Sequence, residues 1–206
     1  MRSLRTPRVL ALVTTAPLLL AVAGLIHPRH LTAATASLWA GLHIVLLPVF
    51  PLLVLGLLVP VRGRPRRDVD GALTVISWAG CFCFAAYYSG LDAVAGISAG
   101  TVVHHGVHGA AGHLFAIGDQ LGRAGVYGLA VAALATCAVL WRRHGVRVLP
   151  GAVFLFAACW SFVDSHIFWP KGVITMIGFA VAFVLLALAE PRPTGDALKP
   201  EGLANP

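Results

Sequence analysis

Three places in the chain set ionisable side chains inside or at the edge of long apolar runs: His43, Asp92 and the pair Asp164/His166. Imidazole and carboxylate are the side chains that bind transition metals or relay protons. An Asp at the centre of a bilayer costs about 2.5–3.5 kcal/mol on the insertion scale, and less near the interface. Such groups therefore face a bundle interior or a wet cavity. The reading assigns His43 and His166 as metal ligands and Asp92 and Asp164 as catalytic carboxylates. Asp164 and His166 are two residues apart, so on one helix they point to different faces and form no local dyad.

A second concentration of imidazoles is GISAGTVVHHGVHGAAGH, residues 96–113, with His104, His105, His108 and His113. His104 and His108 share a face if the stretch is helical, and they join the list of metal ligands. Its glycines oppose both a stable helix and a preorganised site, so a flexible interfacial loop is the competing reading. The loop 104–113 is expected to cover the pocket formed by His43, Asp92, Asp164 and His166. His43 has a competing role as a buried histidine hydrogen-bonded across helices. Asp92 has one as a cap at a helix end. In HPRH, His27 and His30 are three apart, but the proline between them leaves their geometry open.

A site of this composition suits zinc, copper or iron. Metal-bound water would attack a lipid or other ester, with an Asp accepting the proton. Haem is the other cofactor considered, with His43 and His166 as axial ligands. Hydrolysis and redox chemistry both stay open.

The elements that hold these residues must be membrane helices. The chain is 58% hydrophobic and 11% charged, with a mean hydropathy of +0.85, whereas a soluble domain carries about 25% charged residues. Apolar runs of spanning length fall at about 9–26, 37–59, 72–94, 122–141, 148–169 and 173–189. The fold class is all-α, a polytopic transmembrane helical bundle over 1–190. It has six spans, or five if the first is a signal peptide cleaved at Ala21-Val22-Ala23. The length of the first run favours its retention. Pro48 and Pro51 should kink the second span. The fifth reaches full length only if Asp164, Ser165 and His166 continue its helix. Residues 191–206, Pro-rich and polar, are expected to be a disordered cytoplasmic tail.

Twelve of the 15 basic residues fall in the N-terminus, the 61–70 and 142–147 loops and the tail. This excess places both termini in the cytoplasm. Eight of the 9 histidines then lie on or near the outer face, with Asp92, Asp119 and Asp164. The basic balance thus reports topology, and nucleic acid is not an expected partner. The lipid bilayer is. Gly96-xxx-Gly100 and Gly118-xxx-Gly122 read as close packing, within the chain or between copies. The Ala/Gly/Arg bias points to a bacterial plasma membrane.

No GxxxxGK[ST] or GxGxxG motif is present, which argues against nucleotide hydrolysis and a Rossmann site. The four cysteines all sit in apolar runs and read as small hydrophobes. Two other classes of function remain. One is a non-catalytic membrane subunit or scaffold with incidental histidines. The other is a small-solute conduit, disfavoured because the polar groups gather near one face.

Overall fold

The computed structural model describes residues 3–63, 65 and 67–191. Every regular element among them is a helix. Helix α1 spans Pro7–Ile26, capped by Thr6, whose hydroxyl accepts from the Val9 amide, with Pro7 at the first position. His27-Pro28 ends it, since proline disfavours helical backbone before it. Helix α2 covers Ala36–Leu46, and after a break a 3-10 turn, Phe50–Val54, leads into the short α3, Leu55–Leu58. The two halves meet at 43°, the kink expected from Pro48 and Pro51.

Helix α4, Val69–Leu91, starts at Asp68, whose carboxylate accepts from the Gly71 amide. It does not stop at Asp92. A π-helical segment, Asp92–Ser98, carries the axis into α5, Ala99–His104, so the run extends ten residues past the expected boundary at 94. Helix α6, Ala111–His144, contains the expected span 122–141 and begins above it. It reaches α7, Leu149–Phe162, through a 3-10 turn at Gly145–Val148. Helix α8 is Lys171–Leu188.

Four helical runs are long and apolar enough to cross a membrane: Pro7–Ile26, Val69–His104, Ala111–Phe162 and Lys171–Leu188. The bent pair Ala36–Leu46 and Phe50–Leu58 makes a fifth if it is one span. The 52-residue run is not straight. Gly145, at φ +59°, breaks it, and α7 packs back on α6.

The principal pairings are α4 with α6, α7 with α8 and α1 with α8. Leu20, Leu53, Phe84, Leu129, Leu155 and Phe179 are fully enclosed between them. Two hydroxyl pairs add interhelical hydrogen bonds: Ser77 with Thr136 at 2.8 Å and Ser161 with Thr175 at 2.6 Å. Bonds of this kind contribute about 0.6 kcal/mol each on average within a membrane. Large apolar side chains such as Phe82, Leu134 and Trp160 point outward, which suits contact with lipid. Gly96 and Gly100 pack against α2, and Gly118 and Gly122 pack on Ala95 and Leu91, so both small-residue motifs serve contacts within the chain.

Candidate metal centre

Three histidines from three separate elements converge: His27 just past α1, His43 in the last turn of α2 and His166 in the turn between α7 and α8. One ligating atom from each lies within 4.8 Å of the other two. Local structure places each ring. Proline at 28 halts α1, and the Pro28 carbonyl accepts a hydrogen bond from His27 Nδ1 at 2.8 Å. On α2, the His43 ring leans back over the preceding turn, and its Nδ1 donates to the Trp39 carbonyl at 2.8 Å. His166 Nδ1 is 2.8 Å from the Tyr88 hydroxyl.

The consequence is chemical. Because a carbonyl only accepts, the proton of His27 and of His43 sits on Nδ1, and the Nε2 lone pair is free. Tyr88 can hold His166 in the same tautomer. A metal-ligating histidine ordinarily has its other ring nitrogen bonded in this manner. Nε2 of His27 and of His166 are both sealed from solvent and have no hydrogen-bond partner among the described residues. His27 and His43 are buried, at 5% and 2% exposure. Burial pushes the His27 pKa below its ordinary 6.5, which favours the neutral, ligating form.

The fit to one ion can be judged from distances. Tetrahedral zinc with bonds of about 2.0–2.1 Å needs nitrogens about 3.4 Å apart, so the rings must close by up to about 1.4 Å. They sit in an aromatic frame that fixes their planes. His43 stacks on Trp39 with centroids 5.4 Å apart, and Phe168 meets His27 edge-on at 4.7 Å. Phe50 stacks on His166 at 5.4 Å.

Two close approaches bring the rings together. A Cβ on Gly96 would overlap the His43 ring, so only glycine lets α2 lie this near the π segment. A Cβ on Gly24 would overlap the Ile167 carbonyl, so glycine also lets the 163–167 turn rest on α1. The turn has an unusual backbone. His166, though not glycine, has φ +40°. Non-glycine residues in the left-handed region cost about 1–3 kcal/mol and cluster at functional sites.

Asp92 opens the π segment and is wholly buried. Its Oδ1 is 3.9 Å from His43 Nε2, and neither carboxyl oxygen has a hydrogen-bond partner among the described residues. The segment's Ala95 carbonyl accepts from the Trp39 indole at 3.1 Å. Single-turn departures to π winding recur at functional sites.

Of the sequence-derived residues, His43, His166 and Asp92 meet here. Asp164 does not: it is exposed and pairs with Lys171. The proposed continuation of the fifth helix is also absent. Helix α7 ends at Phe162, because the left-handed His166 cannot extend a right-handed helix and the buried Ile167 turns down onto α1. His104 is exposed and packs edge-on against His105 at 5.2 Å, apart from the cluster. The side chain of His108 lies outside the described residues.

Among the described residues, none of His104, His105 and His113 of the expected 104–113 cover lines the two cavities at the site. A cavity of about 440 Å³ opens over His43 and His166, walled by Arg29, Trp39, Phe115, Asp119 and Phe168 among others. A smaller one of about 260 Å³ adjoins it and reaches Tyr88, Arg123 and Asp164. His27 is the residue that sequence reasoning left out of the site. Its signal was available: it is the first polar side chain beyond an apolar run, at the depth expected for His43. No family model, curated protein or solved structure matches the chain.

Proposed function

We propose that this is a membrane-embedded metalloprotein in which His27, His43 and His166 hold one zinc ion at an outward-facing site that hydrolyses an ester. The observation that carries the reading is the shared state of the three rings: each Nδ1 is hydrogen-bonded, while Nε2 of His27 and His166 is buried with no partner among the described residues. Three imidazoles leave a fourth position for water, the arrangement of catalytic zinc. A haem iron takes at most two protein ligands, which would orphan the third histidine. The cysteines, which a copper electron-transfer centre would use, are not part of the cluster.

Bound zinc supplies hydroxide near neutral pH. His27, His43 and His166 would hold the ion, and Asp92, with its Oδ1 3.9 Å from His43 Nε2, would accept the proton that an attacking water loses and return it to the oxygen that leaves the ester carbon.

The six-span topology with both termini cytoplasmic belongs to the same reading. It is supported by the reversal at Gly145 and by Arg62, Arg67, Arg142, Arg143 and Arg147 in the two loops assigned to one face. The site then opens to the outside of a plasma membrane.

The test is elemental analysis of the full chain purified in detergent. The reading expects about one zinc per chain, lost on His27→Ala, His43→Ala or His166→Ala and retained on His104→Ala. Protein that stays metal-free in buffer containing zinc, or that keeps its zinc in the His27→Ala and His166→Ala variants, overturns it.

A further inference from the structure

The cavity of about 440 Å³ carries two opposite charges that no described residue neutralises. Arg29 lines it, in the connection after α1, and so does Asp119, in the third turn of α6. Both are exposed, and among the described residues neither forms an ion pair. Arg123 follows Asp119 by four residues, the spacing for a helix-face pair, yet the two make none. Between the charges the wall is apolar and aromatic, with Leu31, Trp39, Phe115 and Phe168. The floor is His43 and His166.

Its volume, about 440 Å³, lies in the range of ligand sites. A purely anionic ligand would satisfy Arg29 and be repelled by Asp119. A purely cationic one would meet the reverse. A ligand bearing both charges satisfies each, and an acyl chain covers the aromatic wall.

We propose that the cavity binds a zwitterionic amphiphile, with its phosphate or carboxylate on Arg29, its ammonium on Asp119 and its hydrocarbon along Trp39, Phe115 and Phe168. A guanidinium holds such an anion through paired hydrogen bonds. The outward-facing opening makes the source a bilayer lipid with an aminophosphate headgroup. This deepens the ester-hydrolysis reading by naming the substrate class, since such lipids carry acyl esters beside the headgroup. The binding claim itself does not need the metal.

The experiment is native mass spectrometry of the full chain in detergent micelles. The micelles are doped in turn with phosphatidylethanolamine, phosphatidylglycerol, diacylglycerol and the tail-free headgroup glycerophosphoethanolamine. Phosphatidylethanolamine should be retained about tenfold better than the other three, the size of one charged hydrogen bond. Arg29→Ala and Asp119→Asn should each remove that preference, and Asp119→Asn should raise phosphatidylglycerol retention. Equal or better retention of phosphatidylglycerol by the unmodified protein overturns the proposal in favour of a simple anion site. Equal retention of the tail-free headgroup overturns the lipid source.

Zinc content measured on the same samples separates the two readings. Zinc without lipid selectivity sinks this proposal alone. Selectivity without zinc sinks the metalloprotein reading and leaves the binding site intact.

Discussion

The two ends of this bundle differ in the polar groups they bury. At the arginine end, Asp70 takes a hydrogen bond from Arg142 Nε at 2.6 Å and another from Arg143 Nε at 3.2 Å. The Glu190 side chain accepts from the Ser3 hydroxyl at 2.7 Å and from the Leu4 amide, and Arg5 bonds the Glu190 and Leu188 carbonyls. These contacts tie the N-terminal segment to the end of α8 and the start of α4 to the end of α6. Each carboxylate there has a partner within reach of water. At the histidine end, Asp92 and two imidazole nitrogens are buried with no hydrogen-bond partner among the described residues. Buried polar atoms ordinarily find partners, and those that do not call for an explanation. Asp70 and Glu190 thus act as fasteners at one end, as Asp164 does with Lys171 at the other; only the histidine end also buries an unpartnered carboxyl beside unpartnered imidazole nitrogens, whereas His144 Nδ1 is the one such atom at the arginine end among the described residues.

That contrast can be broken or sharpened in five ways, from the largest effect to the smallest. Replacing His43 by Ala should lower zinc affinity more than about 100-fold, beyond what loss of an outer partner does, as read by competition with a chromogenic chelator. Gly96→Val puts a side chain where the His43 ring lies. It should release the metal and destabilise the protein by about 1–3 kcal/mol through overpacking, measured by thermal unfolding in detergent. Tyr88→Phe keeps the aromatic packing but removes the hydroxyl on His166. Zinc affinity should fall about 10- to 100-fold with little change in unfolding temperature.

The fourth concerns pH. Burial lowers the folded pKa of His27, so below its ordinary 6.5 the unfolded chain binds more protons than the folded one. Its contribution to stability is complete above pH 6.5 and is lost as pH falls through the depressed folded value. The metal-free protein should therefore melt at a lower temperature at pH 5.5 than at pH 7.5, by a margin that shrinks in His27→Gln. The smallest effect belongs to the arginine end. Asp70→Asn removes pairs whose arginines are 54% and 36% exposed, so the loss should be under about 1 kcal/mol and zinc content should not change.

How much of this could be read from the sequence follows from where each signal lies. His43 and Asp92 stood out because an ionisable group within an apolar run needs a reason to be there. His166 was found for a partly mistaken reason. It was expected to complete a helix, whereas the chain leaves the helix at Phe162 and turns back to bring the ring to the site. That turn depends on contact between α1 and the 163–167 segment, which no local pattern encodes. His27 was obscured by the proline beside it. The residue that ends α1 also supplies the carbonyl that orients the ring, and this is visible only in three dimensions.

His104 and His108 were chosen for density, yet the exposed end of α5 keeps His104 away from the converging rings. The third span was expected to end at 94 because the charged Asp92 reads as a helix end. The helix instead changes its winding and continues. The expected tail falls, after Pro191, outside the described residues.

The winding of the Asp92–Ser98 segment stores slack in the chain at that point. A π turn accommodates one residue more than the α-helix would, without putting the helix beyond it out of phase. Deleting a single residue from it would let the ladder fall back to α geometry, with α4 and α5 keeping their present faces. The damage would stay inside the segment, where the Asp92 carboxylate and the Ala95 carbonyl could no longer both reach α2. The same deletion a turn earlier, within α4, would instead rotate everything beyond it by about 100°, the angle of one residue in an α-helix.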